Sequence, residues 1–259
     1  MSTVIYPSPI SGIIHSRRLG LSLGINLMPD DGKVCTFDCI YCECGFNQDH
    51  IATHRRPTRE EVAIALERKL IELNAAGTKL DVITFSGNGE PTAHPDFANI
   101  VDDVIRLRDR YCPQAKVSVL SNSTMIFRPD VHAALMRVDN NILKLDTVST
   151  EYIHLVDRPT QSIYHVERII EGLKSFRGHV IIQTIFMKGT FEGNDVDNTG
   201  DTFVKPWLKA LIDIQPREVM IYTIDRETPA SNLEKATVEE LNSIRDRVRN
   251  EGILCTASY

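Results

Sequence analysis

The stretch GINLMPDDGKVCTFDCIYC (24–42) joins a short apolar segment to a loop that carries three cysteines. GINL (24–27) has the apolar, β-branched character of a buried strand. The loop after it spaces Cys35, Cys39 and Cys42 as C-x3-C-x2-C. Thiols so close in sequence indicate a metal site, because soft thiolates select zinc, copper(I) or iron–sulfur clusters. The sequence therefore predicts a strand that leads directly into a metal-binding loop.

Downstream, strand-like segments alternate with segments of helical periodicity. The predicted strands are 80–87, 116–122, 141–147, 179–189, 218–224 and 253–256. The predicted helices are 58–73, 95–110, 129–137, 162–176, about 206–214, and one that follows Thr237. Two of them begin with capping boxes, Thr58 with Glu61 and Thr237 with Glu240.

This alternation predicts an α/β fold with a parallel sheet. About six βα units fall short of the eight in a full barrel. We therefore expect an open, partial (β/α)6 TIM-type barrel, with a doubly wound flat sheet as the alternative. No linker composition interrupts the chain, so we expect a single domain over residues 1–259, with the core at about 15–255 and the metal-binding loop at 35–44.

Polar residues follow the carboxyl end of each predicted strand. In βα barrels these ends build the active site, so we expect one shared pocket. The candidates are the cysteines, GNGEPT (87–92), Asn122, Asp146, Lys188, Asp225 and Arg226.

Composition limits the classes of protein. The 259 residues carry a formal net charge of −6, which does not support a basic surface for nucleic acid, although a local patch such as HRRPTR (54–59) is possible. We expect that run to be a solvated loop.

The sequence shows no apolar run long enough for a membrane span and no secretory signal, so we expect a cytoplasmic protein. We expect Cys112 and Cys255 to be buried as small apolar residues. We expect Cys44 to be an inert neighbour of the motif, with a redox-active thiol and a hydrogen-atom donor as the alternatives.

CTFDCIYC (35–42) resembles the CxxxCx(aromatic)C signature of the radical S-adenosylmethionine (SAM) superfamily, with Tyr41 at the aromatic position. GNGEP (87–91) is similar to the GGE motif that follows the second strand of that superfamily, with Asn88 between the glycines. HSRRLGLSLGIN (15–26), LVDRP (155–159) and FMKG (186–189) have counterparts in a subgroup that includes wyosine-type tRNA synthases and uncharacterised iron–sulfur oxidoreductases.

The resemblance implies a [4Fe–4S] cluster on Cys35, Cys39 and Cys42, and SAM bound to the iron without a cysteine ligand. It further implies a flavodoxin- or ferredoxin-like reductant for the cluster. The implied cofactor contacts are Tyr41, Gly87, Asn88, Gly89, Glu90, Asn122 and Asp146. Lys188, Asp225 and Arg226 are the candidate catalytic residues on the substrate side.

Several alternatives stay open from the sequence. Asn122 can instead cap the turn after it, and Asp146 can pair with Lys144 or Arg158. Arg17 and Arg18 can bind the SAM carboxylate, bind a substrate anion, or form surface ion pairs.

The implied function is reductive cleavage of SAM and hydrogen abstraction from an unidentified substrate, for which a tRNA base and a protein or peptide are the candidates. Activation of a glycyl-radical enzyme and maturation of a peptide or cofactor are alternatives within the superfamily. From a different class, the alternative is a non-catalytic module that binds zinc or an iron–sulfur cluster on an α/β scaffold.

Overall fold

The computed structural model describes residues 3–161 and 164–259, and the chain divides into two units. The N-terminal unit comprises Ile5–Cys35 and Asn47–Asn141. The C-terminal unit comprises residues 3–4, Thr36–Phe46 and Ile142–Tyr259. Each unit pairs parallel strands with the helices that follow them.

The N-terminal unit begins with an antiparallel pair of strands and continues with parallel ones. Its strands are β1 (Ile10–Ser16), β2 (Gly20–Ile25), β3 (Val82–Phe85) and β4 (Lys116–Ser121). Its helices are α1 (Arg59–Ala75), α2 (Phe97–Tyr111) and α3 (Pro129–Leu135). β1 pairs antiparallel with β2, while β2 with β3 and β3 with β4 pair in parallel. All four residues of β3 are buried, as expected for a parallel strand covered on both faces.

Helix α1 confirms the predicted capping box. The Thr58 side chain accepts from the N–H of Glu61, and the Glu61 side chain accepts from the N–H of Thr58. The predicted apolar face is buried, with Val62, Leu66 and Leu70 each at most 1% exposed.

Strand β1 was not predicted. Its residues are partly or largely exposed, so the strand lacks the apolar–polar alternation of a half-buried strand. Ser11 and Gly12 also interrupt its apolar residues. Strand β2 begins at Gly20, four residues before the predicted start at Gly24.

The C-terminal unit carries the second set of parallel strands. Its strands are β5 (Asn140–Lys144, of which the first two residues are assigned to the N-terminal unit), β6 (Ile181–Ile185), β7 (Met187–Phe191), β8 (Asn194–Asp195), β9 (Glu218–Tyr222), β10 (Leu233–Lys235) and β11 (Cys255–Ser258). Its helices are α4 (Thr150–Tyr152), α5 (Val166–Lys174), α6 (Asp201–Ile214) and α7 (Val238–Asn250), with a π-helical turn at Ile153–Asp157. β5 with β6, β6 with β9, and β9 with β11 pair in parallel, and β10, β7 and β8 form a small antiparallel sheet.

The single strand predicted at 179–189 is wrong, because it is two strands with a break at Phe186. The side chain of Asn198 satisfies the main chain on both sides of the break. Its Nδ2 donates to the Ile185 carbonyl at 2.9 Å, and its Oδ1 accepts from the Met187 N–H at 2.9 Å.

Helix α6 begins at Asp201 rather than at the predicted Pro206. Proline favours the first position of a helix, but here Pro206 lies inside the helix. Of the helix predicted at 162–176, Ser162 and Ile163 lie outside the described residues. In the described part of the chain, no helix is both long and apolar enough to cross a membrane.

Candidate active site

Cys35 of the N-terminal unit lies beside the glycine turn that follows β3. The N–H of Val34 donates to the Asn88 carbonyl at 2.9 Å, and the N–H of Glu90 donates to the Val34 carbonyl at 3.2 Å. Gly89 permits this approach: a Cβ there would lie 1.9 Å from the Val34 carbonyl oxygen, and its φ is +138°. The GNGEP turn therefore holds the main chain of the residue directly before Cys35.

Glu90 connects the ends of β3 and β4. Its Oε2 accepts from the N–H of Asn122 at 2.7 Å, while Oε1 accepts from the N–H and hydroxyl of Thr92 at 3.0 and 2.5 Å. Burial raises the pKa of the Glu90 carboxyl, and these hydrogen bonds work against that rise. Through its hydrogen bonds to Asn122 and Thr92, the carboxylate holds the turn that lies beside Cys35.

Asn122 contacts both the motif and its own turn. Its Nδ2 lies 3.7 Å from the Cys35 sulfur. Its Oδ1 accepts from the N–H and hydroxyl of Thr124 at 3.1 and 2.7 Å, which confirms the turn-capping alternative. Turn capping therefore directs the amide nitrogen towards the cysteine.

The side chain of Asn88 is occupied by main-chain groups. Its Oδ1 accepts from the N–H of Tyr6 at 2.8 Å, and its Nδ2 donates to the carbonyls of Tyr6 and Pro29 at 2.8 Å each. Asn26, to which the sequence analysis gave no role, bonds the same region: its Oδ1 accepts from the N–H groups of Met28 and Asn88 at 3.0 and 3.3 Å. The side chains of Asn26 and Asn88 therefore both stabilise the glycine turn. The position of Asn26 directly after β2 is the sequence feature that could have identified it.

In the C-terminal unit, the loop Thr36–Phe46 is fastened to the π-helical turn. The N–H of Asp38 donates to the Asp157 carbonyl at 3.0 Å, and the N–H of Ile40 donates to the Val156 carbonyl at 2.9 Å. The N–H of Cys42 donates to the Cys39 carbonyl at 3.2 Å, which tightens the loop between these two cysteines.

Lys144 lies at the centre of a buried cluster that includes Cys39. Its ammonium contacts Asp157 Oδ1 at 2.5 Å, Asp146 Oδ2 at 3.0 Å and the Cys39 sulfur at 3.2 Å. It also donates to the Tyr41 hydroxyl. The ion pair with Asp146 confirms one alternative from the sequence. Lys144 and Asp157 were not predicted as site residues. The sequence features that could have identified them are the lysine inside an apolar strand and the aspartate of LVDRP (155–159).

Tyr41 bonds both carboxylates of this cluster. Its hydroxyl donates to Asp146 Oδ2 at 2.5 Å and lies 3.1 Å from Asp157 Oδ1. Burial and the two carboxylates raise its pKa well above the ordinary range. Burial alone would lower the pKa of Lys144, but the charges of Asp146 and Asp157 raise it well above its usual value. This group of side chains therefore contains a protonated Tyr41 and a charged Lys144, both held by the carboxylates of Asp146 and Asp157.

Two of the candidate substrate residues pair with acidic side chains other than Asp146 and Asp157. Lys188 on β7 donates to Glu240 of α7 at 3.2 Å. Arg226 pairs with Glu43 of the cysteine loop at 2.5 Å, so it does adjoin that loop. Asp225 precedes it in the loop after β9.

Two of the remaining cysteines are buried as expected. Cys112 and Cys255 are buried, which confirms their prediction, and burial raises the pKa of the Cys255 thiol to about 12. Cys44 is 3% exposed, whereas the three motif cysteines are partly exposed.

The basic run 54–59 is paired with acidic groups. Arg55 binds Glu61 at 2.5 Å, and Arg59 binds Asp103 at 2.7 Å. Arg17 and Arg18 lie in the turn before β2, at the strand end opposite to the one that leads to Cys35.

A family model for the radical SAM superfamily matches residues 31–199, and the chain belongs to that superfamily. Among curated relatives, the chain is 28% identical over 238 residues to a UPF0026 protein of Methanocaldococcus jannaschii, covering 90% of this chain and 68% of the relative. It is 30% identical over 225 residues to a UPF0026 protein of Helicobacter pylori, covering 84% of this chain and 66% of the relative. The chain thus spans about two thirds of the length of these relatives.

A solved structure shares the fold. The radical SAM methyltransferase from Sphaerobacter thermophilus superposes with a TM-score of 0.68 at 17% identity, over 95% of this chain and 68% of that chain. This likeness confirms the predicted fold class, an α/β partial barrel of the TIM type. Radical SAM enzymes use a [4Fe–4S] cluster and SAM, so membership of the superfamily implies an enzyme with these cofactors.

Proposed function

We propose that this chain is a radical SAM enzyme in which Cys35, Cys39 and Cys42 hold one [4Fe–4S] cluster. When bound, the cluster and SAM supply a one-electron cleavage that yields methionine and a 5′-deoxyadenosyl radical, which takes a hydrogen atom from an organic substrate. The observation that carries the proposal is the pair of main-chain bonds that hold Val34, and with it Cys35, against the turn of Gly87 to Glu90.

The donor set fits an iron–sulfur cluster. Three soft thiols lie on one short loop, none of them in a disulfide, and all three are partly exposed. Cys44 is 3% exposed within the apolar core, which supports a set of three ligands rather than four. A three-cysteine set leaves one iron without a protein ligand, as SAM binding requires.

Polar donors support the sulfur atoms. The Asn122 amide lies 3.7 Å from the Cys35 sulfur, and the Lys144 ammonium lies 3.2 Å from the Cys39 sulfur. Hydrogen bonds and positive charge at sulfur favour the thiolate, the form that binds metal. In the N-terminal unit a donor therefore lies beside Cys35, and in the C-terminal unit a donor lies beside Cys39.

Other residues in the proposal have cofactor or substrate roles. Gly87 and Gly89 let this turn pack closely against Asn26 and Val34, since a Cβ would lie 2.7 Å from the Asn26 side chain and 1.9 Å from the Val34 carbonyl oxygen. The turn held in this way is proposed to contact SAM. Glu90, Asn88 and Asn122 support that turn and are proposed cofactor contacts, and Tyr41 and Asp146 are proposed as further contacts to the cofactor. Lys188, Asp225 and Arg226 are proposed to act on the substrate, and a flavodoxin- or ferredoxin-like protein is proposed as the reductant.

The non-catalytic zinc module is the competing function. It uses all four clustered thiols, and it does not require the GNGEP turn beside Cys35. The two functions therefore differ in which cysteines matter and in which metal is bound.

Metal content after anaerobic reconstitution tests the proposal. We expect about four irons and four sulfides per chain in the wild type, and loss of most of both in the Cys35→Ala, Cys39→Ala and Cys42→Ala variants. Cys44→Ala is the matched control, and we expect it to keep the cluster. Binding of about one zinc that depends on Cys44 as well would overturn the proposal in favour of the zinc module.

A further inference from the structure

Lys144 is a cation held in place by two acidic side chains. The side chains of Asp146 and Asp157 are 1% and 3% exposed, and that of Lys144 is 14% exposed. The ammonium also lies 5.1 Å from the ring centre of Phe37 and 4.7 Å from that of Tyr41. Carboxylates and aromatic faces both attract a cation, so the position of the ammonium is fixed.

This fixed cation is directed at a sulfur atom. The Lys144 Nζ lies 3.2 Å from the Cys39 sulfur, while Asp157 Oδ1 lies 3.7 Å from it. The Coulomb interaction grows as distance falls, so of these two opposite charges the positive one acts on the sulfur from closer range. A lysine that served only to neutralise the two acids would not need to reach the cysteine.

We propose that Lys144, held by Asp146 and Asp157, is a positioning residue that donates to the Cys39 sulfur and raises the reduction potential of the cluster bound there. The inference rests on the proposed function, since it needs a cluster on Cys39. Reduction adds one electron to the cluster, and the added negative charge is stabilised by a nearby cation and by hydrogen bonds to sulfur. The Asp157 carboxylate, which lies 3.7 Å from the same sulfur, lowers the reduction potential because its negative charge opposes the added electron.

Two substitutions therefore shift the potential in opposite directions. Lys144→Met removes the cation and leaves two buried carboxylates, so the cluster becomes harder to reduce. Asp157→Asn removes one negative charge and keeps the Oδ1 acceptor for Lys144, so the cluster becomes easier to reduce. Lys144→Arg keeps the charge and should lie near the wild type.

The test is a redox titration of the reconstituted protein without SAM, followed by the electron paramagnetic resonance signal of the reduced cluster. At the wild-type midpoint, we expect Lys144→Met to lower the ratio of reduced to oxidised cluster about tenfold, which corresponds to about 59 mV for one electron. We expect Asp157→Asn to raise that ratio. The matched control is Lys205→Met, which removes a lysine from the surface pair with Asp201 and should leave the midpoint unchanged.

The outcomes separate the two proposals. A wild type that holds no iron–sulfur cluster overturns the proposed function itself. A wild type with a cluster whose midpoint is unchanged in folded Lys144→Met overturns the role of Lys144 alone, whatever the shift in Asp157→Asn. If Lys144→Met does not fold, the sign of the shift in Asp157→Asn decides, and an unchanged or lower midpoint there contradicts the proposal.

Discussion

The Glu90 carboxylate accepts the main-chain N–H of Asn122 at 2.7 Å, and so links the turn after β3 to the turn after β4. The same carboxylate holds Thr92, and Asn122 in turn directs its amide at the Cys35 sulfur. A single buried acid therefore sets the position of the motif turn and of a donor to one proposed cluster ligand.

Replacing Glu90 with glutamine should destabilise the protein. An amide in this position brings two N–H donors to a place where N–H and O–H groups already donate, so at least one hydrogen bond is lost. Leaving a buried polar group unsatisfied costs about 1–3 kcal/mol. Urea unfolding of Glu90→Gln measures the loss, and Glu234→Gln, at an exposed position on β10, is the control. Equal stability of the two variants would contradict the role given to Glu90.

Replacing Gly89 with alanine should displace Cys35. The added Cβ would lie 1.9 Å from the Val34 carbonyl oxygen and 3.2 Å from the Cys35 nitrogen, so the main chain before the cysteine must move. We expect a loss of stability and a clear fall in bound iron after reconstitution. Gly12→Ala separates the clash from backbone strain, since Gly12 also has positive φ, +107°, but has nothing within 4 Å of an added Cβ. Full iron content in Gly89→Ala would refute the close contact.

His94 should be mostly neutral at pH 6.5. Its Nε2 donates to the Pro57 carbonyl at 2.9 Å and its Nδ1 accepts from the Asp96 N–H at 3.1 Å, an arrangement that only the neutral ring satisfies. Burial lowers its pKa from 6.5. The folded pKa lies below the unfolded one, so this stabilisation is complete above about pH 6.5 and is lost as pH falls through the folded pKa. Nuclear magnetic resonance of the ring nitrogens measures it, and a protonated ring at pH 6.5 or above would contradict the assignment.

Local signals in the sequence predicted much of the fold. Thr58 and Glu61 identify the start of α1 because a capping box needs only residues three apart. The start of α6 was misplaced because Pro206 is a local signal for a first helical position, and the helix begins at Asp201 instead. Strand β1 was missed because its partly exposed residues carry no alternating pattern.

Only the site residues that lie within contiguous sequence motifs could be predicted from the sequence. The cysteine loop and the GNGEP turn are contiguous in sequence, so their roles could be proposed from it. The contact between Lys144 and Cys39 joins residues 105 positions apart, and no local pattern encodes it. Asn88 and Asn122 show a second limit: their side chains bond nearby main-chain groups, and only coordinates reveal those partners.

The central claim is that the chain cleaves SAM by radical chemistry on the three motif cysteines. The most direct measurement is 5′-deoxyadenosine formed by the anaerobically reconstituted protein with SAM and dithionite, beside a Cys35→Ala/Cys39→Ala/Cys42→Ala variant. We expect 5′-deoxyadenosine from the wild type and none from the variant. A wild-type protein that carries zinc in place of iron and forms no 5′-deoxyadenosine would contradict it.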